Sequence, residues 1–478
     1  MSHHIIGKSR SQATFFPEVL DDFVSVDNPV RVIEVFVNEL NLSDLGFKGV
    51  VPKDTGRPNY HPAMLLKLYL YGYLNHIQSS RRLEREANRN IELMWLTERL
   101  APDFKTIADF RKNNSKGIKQ SCRTFVSLCR QLNMFSDTIF AIDGSKFKAS
   151  NNKSNNYTPK KVQTEIDRTE KHISRYLTEL DTSDDKEKET DTTPIEDKIT
   201  WLKARLVELR ELKDKVEEHP DKQISTIDPD SRLMKTGMAR TVGYNLQSAV
   251  DCKHHLIAAH EVTNTSDRSQ LCHMGKQAQE AAGINDITVI ADKGYFSGQD
   301  IVDAQDAGMI PLVPKSDTSG SEKKGIFNQS RFNYEAEKDV YICPAEQELT
   351  PRGILKDKGL IYRTYTCSLV VCRACDMKSK CTSSPQTRKI RRWEHADRID
   401  MMTKLLDSKP DSMLIRKQTV EHPFGTIKFW MGATHLLTRG FKGVSTEMNL
   451  HVLAYNLKRM ISIFGVSGLI KEMMTQSF

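Results

Sequence analysis

The sequence predicts an α/β protein: a mixed sheet with helices on both faces, preceded by an all-helical N-terminal region and carrying two insertions. Three observations predict it. Ile139-Phe140-Ala141-Ile142-Asp143 and Thr288-Val289-Ile290-Ala291-Asp292 are short apolar runs that each end in an aspartate. Such runs read as buried strands, and a strand that stops at a carboxylate puts charge at the carboxyl edge of a sheet, where α/β folds place their chemistry. Residues 15–135, in contrast, space their apolar side chains as helices do.

In order along the chain, Val32, Ile33, Val35 and Phe36 mark a first helical piece, and Leu65, Leu66, Leu68, Leu70 and Leu74 a denser second one. The breakers Pro52, Gly56, Pro58 and Pro62 divide them. Arg81, Arg82, Arg85 and Arg89 fall on one broad helix face. Two readings stand: a face that contacts phosphates, or a solvated surface with Glu84 and Glu86 as neighbours.

After Asp143 comes a charged stretch, 160–220, in which Ile195, Ile199, Leu202, Leu206 and Leu209 alternate spacings of four and three, as in a coiled coil. Thr193-Pro194-Ile195-Glu196 supplies an N-cap, a proline at the first position and a capping-box glutamate. Ile166, Ile173, Leu177 and Leu180 form the partner stripe, so an antiparallel helical hairpin is expected, either dimerising or a monomeric spacer. Its connector, Asp181 to Lys198, holds eight acids against three lysines and should be solvated.

Strands resume at Gly243 to Asp251 and His255 to Val262. A helix from about Ser266 to Ala282, the Asp292 strand, a helix from Ser297 to Ala307 and a strand from Ile310 to Val313 follow, giving the order β-β-β-α-β-α-β. A second insertion, 315–400, contains Cys343, Cys372, Cys375 and Cys381, spaced C-x28-C-x2-C-x5-C, with Cys367 as an extra candidate. Four thiolates would make a closed structural zinc site; the other reading is unliganded thiols. The run Arg388-Lys389-Ile390-Arg391-Arg392-Trp393 is either a DNA-backbone strip or a solvated basic loop. Downstream, Lys417, Glu421 and Lys428 share one helical face while Val420, Phe424 and Ile427 line an apolar one, with Pro423 signalling a kink or a helix start.

Composition narrows the class. A chain of 478 residues is too long for one ordinary core, and 70 Lys+Arg against 62 Asp+Glu, a formal +8, permits an anionic partner without demanding one. The best apolar run, Met64 to Leu74, is interrupted by Lys67, Gly72 and three tyrosines, short of the ~20 residues a spanning helix needs. No membrane partner is expected. The start, MSHHIIGKSRSQ, lacks an apolar signal core, and nine cysteines, several scattered singly, fit reduced thiols, so a cytoplasmic, nucleoid-associated protein is expected.

Asp143 within FAIDGSKF, Asp292 within ADKGYFS and Glu421 within VEHPFGTIK resemble the three catalytic carboxylates of bacterial insertion-sequence DDE transposases, whose catalytic domain is RNase H-like. GYNLQSAVD (243–251), HVLAYNLKRM (451–460) and RRLEREANRNIELMWL (81–96), the last in an InsH-like N-terminal domain, resemble the same family, so the likeness covers most of the chain. It implies two Mg²⁺ or Mn²⁺ ions per active site, bridged by Asp143 and held singly by Asp292 and Glu421, for in-line phosphodiester hydrolysis and strand transfer. The partners implied are double-stranded DNA, as terminal inverted repeats and target, and further copies of the chain assembled on it. Relatives carry a Tyr, Arg, Glu and Lys signature: Glu421 and Lys428 match its last two members, Leu414 and Lys417 hold the first two positions, and Arg416 is adjacent. Lys417 offers a charge there but not a bidentate fork.

The expected division is a helical DNA-binding domain at 1–135, an RNase H-like core at 136–152, 236–314 and 401–465, a helical hairpin at 153–235 and the cysteine insertion at 315–400. The alternatives to a transposase are a nuclease of the same fold that cuts without joining, and an inactive domesticated DNA-binding protein. For each acid taken alone, a strand-end aspartate also serves as a turn former or N-cap.

Overall fold

In the computed structural model, residues 19–52, 58–184, 193–236, 239–315, 320 and 322–476 are described. The start MSHHIIGKSRSQ, Gly56 and residues 185–192 of the acidic connector lie outside them. The helical region comprises α1 (Val30–Asn38), α2 (Pro62–Leu74), α3 (Ser80–Ala87), α4 (Ile91–Leu96), α5 (Phe104–Asn113) and α6 (Ser115–Gln131). Local chemistry sets the starts: Asn90 and Asp103 accept backbone N–H groups at the first turns of α4 and α5, and Pro62 opens α2 behind His61. Met64 to Tyr73 of α2 are buried on every side, which explains the dense apolar run.

The sheet region follows as β1 (Ile139–Lys148), β2 (Asn156–Tyr157), α7 (Pro159–Asp184), α8 (Thr193–Glu218), β3 (Ile224–Ser225), β4 (Arg232–Thr236), β5 (Ala239–Asp251), β6 (Ile257–Thr263), α9 (Leu271–Ala282), β7 (Thr288–Ala291), α10 (Gly298–Asp306) and β8 (Ile310–Leu312). The strands lie in the order β6-β5-β1-β7-β8, with β4 alongside the other end of β5. β1 is antiparallel to β5 and parallel to β7, which is parallel to β8. This is the expected RNase H-like mixed sheet. Asp143 lies opposite Ser248, and Ile142 pairs with Ala291. One residue further along each parallel strand stand Asp143 and Asp292, side by side and on the same face, because strand side chains alternate. The opposite face, bearing Phe140 and Val289, is covered by α9, whose Gly275 approaches Val289.

The expected hairpin is α7 packed on α8, with Val162 and Ile166 buried against Leu209 and Val216. Its base is closed by pairing of β2 with β3. Leu177 of the partner stripe is exposed. The second insertion is a five-stranded antiparallel sheet of β9 (Asn333–Glu335), β10 (Val340–Ile342), β11 (Glu348–Asp357), β12 (Leu360–Thr366) and, after α11 (Leu369–Arg373) and α12 (Lys378–Cys381), β13 (Lys389–Trp393). The basic strip is thus a strand. Its Arg392 is buried, pairs with Asp397 and Asp400 and stands 3.7 Å from the Tyr334 ring centroid, so that side chain holds the insertion together.

Last come α13 (Ala396–Asp407), α14 (Ser412–Gly425) running on through Pro423 into a π-helical turn, Thr426–Trp430, and α15 (Gly440–Thr475). The middle of α15 is buried from Met448 to Leu457 against α1, α2, α6 and β6, so one apolar cluster joins the helical region to the sheet. Among the described residues no helix is long and apolar enough to cross a membrane.

Candidate active site

Asp143 is mostly buried near the middle of β1, a long strand that runs on past the carboxyl edge, and Asp292 ends β7 as the cap of a short 3-10 turn, its carboxylate accepting the Gly294 N–H at 2.7 Å. The bland N-cap role expected of a strand-end aspartate is therefore real for Asp292, and it leaves the second carboxylate oxygen available. That oxygen lies 3.8 Å from the Arg416 guanidinium, which also pairs with Asp143 at 2.9 Å. Arg416 projects from the buried face of α14 onto the sheet, and its Nε has no partner. Burial pushes the Asp143 carboxyl up to about 6, against the pull of Arg416, with the charges of Asp292 and Asp267 adding to the rise.

Glu421 stands elsewhere. Five residues beyond Arg416, it is turned about 140° around the helix, is 66% exposed and faces Lys417 at 3.9 Å. The expected face shared by Lys417, Glu421 and Lys428 also breaks up, because the π turn, closed by the Met431 N–H on the Thr426 carbonyl, shifts the helical phase. Lys428 instead reaches back to β1, donating to Ser145 Oγ at 2.6 Å and the Lys146 carbonyl at 3.0 Å, over the Phe147 ring. Burial lowers the pKa of its amine. Among the described residues no group of three or more His, Cys, Asp or Glu side chains is arranged to hold a metal ion. Asp143 and Asp292 fit a cation as a pair, with the guanidinium in that role, whereas Glu421 does not reach it in this conformation.

Behind the acids lies a network that the sequence reading missed. Asp267 accepts from Asn245 at 2.7 Å, Gln247 at 2.9 Å and Lys146 at 2.8 Å, and Gln247 accepts the Tyr295 hydroxyl from the turn after Asp292. It passes directly over Gly144, where a Cβ would meet an Asp267 oxygen at 2.2 Å. The signal available was two amides, Asn245 and Gln247, that the structure buries inside one strand.

Arg81, Arg82, Arg85 and Arg89 are all exposed on or just beyond α3; Arg81 lies 5.1 Å from the Phe104 ring centroid and Arg89 pairs with Glu86. Cys343, Cys372, Cys375 and Cys381 line one small cavity with Cys367, and Cys343 Sγ accepts the Gln347 N–H at 3.4 Å. Burial, with the neighbouring thiols, pushes Cys372 up to about 12. Donor type suits zinc, but the sulfurs are not drawn together into an ion site.

The mixed sheet thus carries adjacent strand-borne aspartates and is joined through α15 to the helical N-terminal region. Residues 18–113 match the family model described as Transposase domain (DUF772), and residues 342–461 match that described as Transposase DDE domain. Both matched stretches are thus similar to transposase domains, one in the helical region and one spanning the cysteine insertion, α14 and the start of α15. A search of curated proteins returns no match. Among solved structures the chain is similar to a piggyBac transposase synaptic complex with hairpin DNA, at 9% identity and a TM-score of 0.32 over 94% of this chain and 79% of that one. So low a score says nothing further about fold or chemistry.

Proposed function

We propose that this protein is a DDE transposase that cuts DNA at the ends of its own element and joins it to target DNA, using Asp143 and Asp292 as the paired carboxylates of a divalent-metal site. One observation carries the reading: a single cationic group, the Arg416 guanidinium, seated between carboxylates from adjacent parallel strands. Hard oxygen donors already sharing a positive charge suit Mg²⁺ or Mn²⁺. When bound, such ions would stabilise charge on the attacking and leaving oxygens of a phosphodiester. Lys428, held against Ser145 two residues from Asp143, brings positive charge to the same edge for the DNA backbone. Lys417 and the exposed arginines of the α3 region extend that charge. Glu421 is the third acid by family resemblance, and it joins the pair only if α14 turns. The assembled form is a homo-oligomer on DNA.

The test uses purified chain and DNA carrying the element's ends. Asp143→Asn, Asp292→Asn and Glu421→Gln should each cut cleavage by roughly 100-fold or more while DNA affinity stays within a few-fold, since each group acts on the transition state. Wild-type cleavage by any one variant takes that residue out of the site. Precut ends that bind but are never joined would leave a nuclease.

A further inference from the structure

A second polar cluster lies on the face of the sheet away from the paired aspartates. Side chains alternate along a strand, so Gly144 and Lys146 of β1 point to the α9 side while Asp143 and Ser145 point to the α14 side. Across the ladder Gln247 stands opposite Gly144 and Asn245 opposite Lys146. Asp267, in the segment between β6 and α9, covers this square of four. One of its carboxylate oxygens accepts Asn245 Nδ2 at 2.7 Å and Gln247 Nε2 at 2.9 Å, and the other accepts Lys146 Nζ at 2.8 Å. Glycine at 144 makes the room, since a Cβ there would run into Asp267, Gln247 and Asn245 together.

The directions of these bonds are set by Asp267. A carboxylate only accepts, so the Gln247 amide must turn its nitrogen to Asp267 and its oxygen away. That oxygen takes the hydroxyl proton of Tyr295. Burial raises the Tyr295 phenol well above its ordinary 10, so it stays a donor. Tyr295 closes the turn that Asp292 opens, its N–H on the Asp292 carbonyl at 3.1 Å. At the other end, Lys146 lies on β1 three residues after Asp143, and its carbonyl accepts Lys428 Nζ at 3.0 Å. A continuous run of hydrogen bonds therefore leads from the turn of Asp292, through Gln247 and Asp267, to the strand of Asp143. The run matters because strand pairing stops short of the acids: the last ladder pair of β1 with β7 is Ile142 with Ala291. Beyond it β1 continues alone while the Asp292 chain turns away.

We infer that Asp267 is a positioning residue for the divalent-cation site, fixing through Gln247 and Tyr295 the turn that carries Asp292 and through Lys146 the strand that carries Asp143. Two carboxylates share one ion only when their separation matches it, and here that separation is held from behind, across the sheet. Asp267 is not itself a ligand: its oxygens are occupied by three donors on the opposite face, and it forms no three-acid group with the aspartates. Groups that orient metal-binding carboxylates from behind typically carry about tenfold to a hundredfold in affinity. This inference rests on the proposal that Asp143 and Asp292 take a divalent cation, and it adds what keeps them in register for it.

The experiment titrates Mn²⁺ into the full chain without DNA, by calorimetry, and separately follows DNA cleavage as Mn²⁺ is raised. Asp267→Asn keeps the shape but turns an amide N–H toward groups that are themselves donors, and should weaken Mn²⁺ binding by about tenfold to a hundredfold. Its cleavage should need correspondingly more Mn²⁺ and approach the wild-type rate at saturation, whereas Asp143→Asn, which removes a ligand, should not recover. Tyr295→Phe deletes only the hydroxyl at the far end of the run. It should shift Mn²⁺ affinity in the same direction by a smaller factor, and should add little in the double variant, because both changes cut one network. If Asp267→Asn does not fold, as its thermal melt would show, Tyr295→Phe decides alone. Wild-type Mn²⁺ affinity in the folded variant overturns the inference, as does a cleavage loss that no Mn²⁺ concentration restores, which would make Asp267 a participant in the reaction. Wild type that takes up no Mn²⁺, or Asp143→Asn that takes it up as wild type does, overturns instead the reading of the aspartates as a metal pair.

Discussion

Asp143 shows how burial and charge compete at one residue. Its carboxyl is raised to about 6 from an ordinary 3.8, burial outweighing the guanidinium 2.9 Å away. A raised acid binds its proton more tightly in the folded chain than in the unfolded one, so stability falls as pH rises from about 4 to about 6 and the penalty is complete above that. For metal-free protein we expect unfolding in urea to show that fall, on the order of 1–3 kcal/mol, and Asp143→Asn to remove Asp143's share of it. An unchanged slope would place the raised group elsewhere. The two aspartates were legible in the sequence because each follows an apolar run of strand length. Arg416 was not read as their partner, since an unbroken helical phase groups Lys417 and Glu421 with Lys428 on one face, and only the π turn takes Lys428 off it. Asp267 was invisible for a different reason: its donors Asn245, Gln247 and Lys146 come together only through strand pairing.

Among the elements, strands with a pure apolar signature and helices with a stripe could be read from sequence, and those fixed by pairing alone could not. The hairpin of α7 and α8 followed from its heptad spacing. Because β2 and β3 pair at its base, replacing residues 160–220 by a short Gly/Ser bridge should leave a cooperative core whose melting temperature moves by only a few degrees. Loss of a sharp transition in circular dichroism would mean the hairpin supports the sheet. The five-stranded insertion escaped sequence reading because its strands are short at one edge, largely exposed along β11, and bulged between Pro351 and Gly353. Its cysteines, in turn, face one cavity that also contains Phe327 and Phe332. Protein purified without chelator should contain about one zinc per chain, lost in the Cys372→Ser, Cys375→Ser double variant while the acids' behaviour stays unchanged. Metal-free wild type would leave the thiols as ordinary packing in a small core.

At the scale of the whole molecule, the chain order and the core disagree. The change from helices to strands near residue 135 is plain in the sequence, yet the apolar cluster runs straight across it, because α15 returns from the far end to fill the space between α1, α2, α6 and β6. Thr446 even bonds to Ser115 across that junction, and Tyr73 packs on His451 at 4.5 Å. Sequence pattern finds elements but not which distant helix covers them. A fragment of residues 19–135 should therefore lack α15's half of its core and behave as a loosely packed, dye-binding state, which its amide NMR dispersion would reveal. Well-dispersed peaks would show that the helical region folds alone.

The placement of Arg416 and Glu421 on one short helix makes α14 a cam. Set about 140° apart on a rigid cylinder, the two side chains cannot both address the aspartates at once. If the aspartates take the divalent cation proposed above, a turn in the sense that brings Glu421 inward also withdraws the guanidinium, so neutralising the acids from within and exposing them to an outside cation are opposite ends of that turn. The π turn and Pro423, at the end of that cylinder, are where such a rotation would be absorbed.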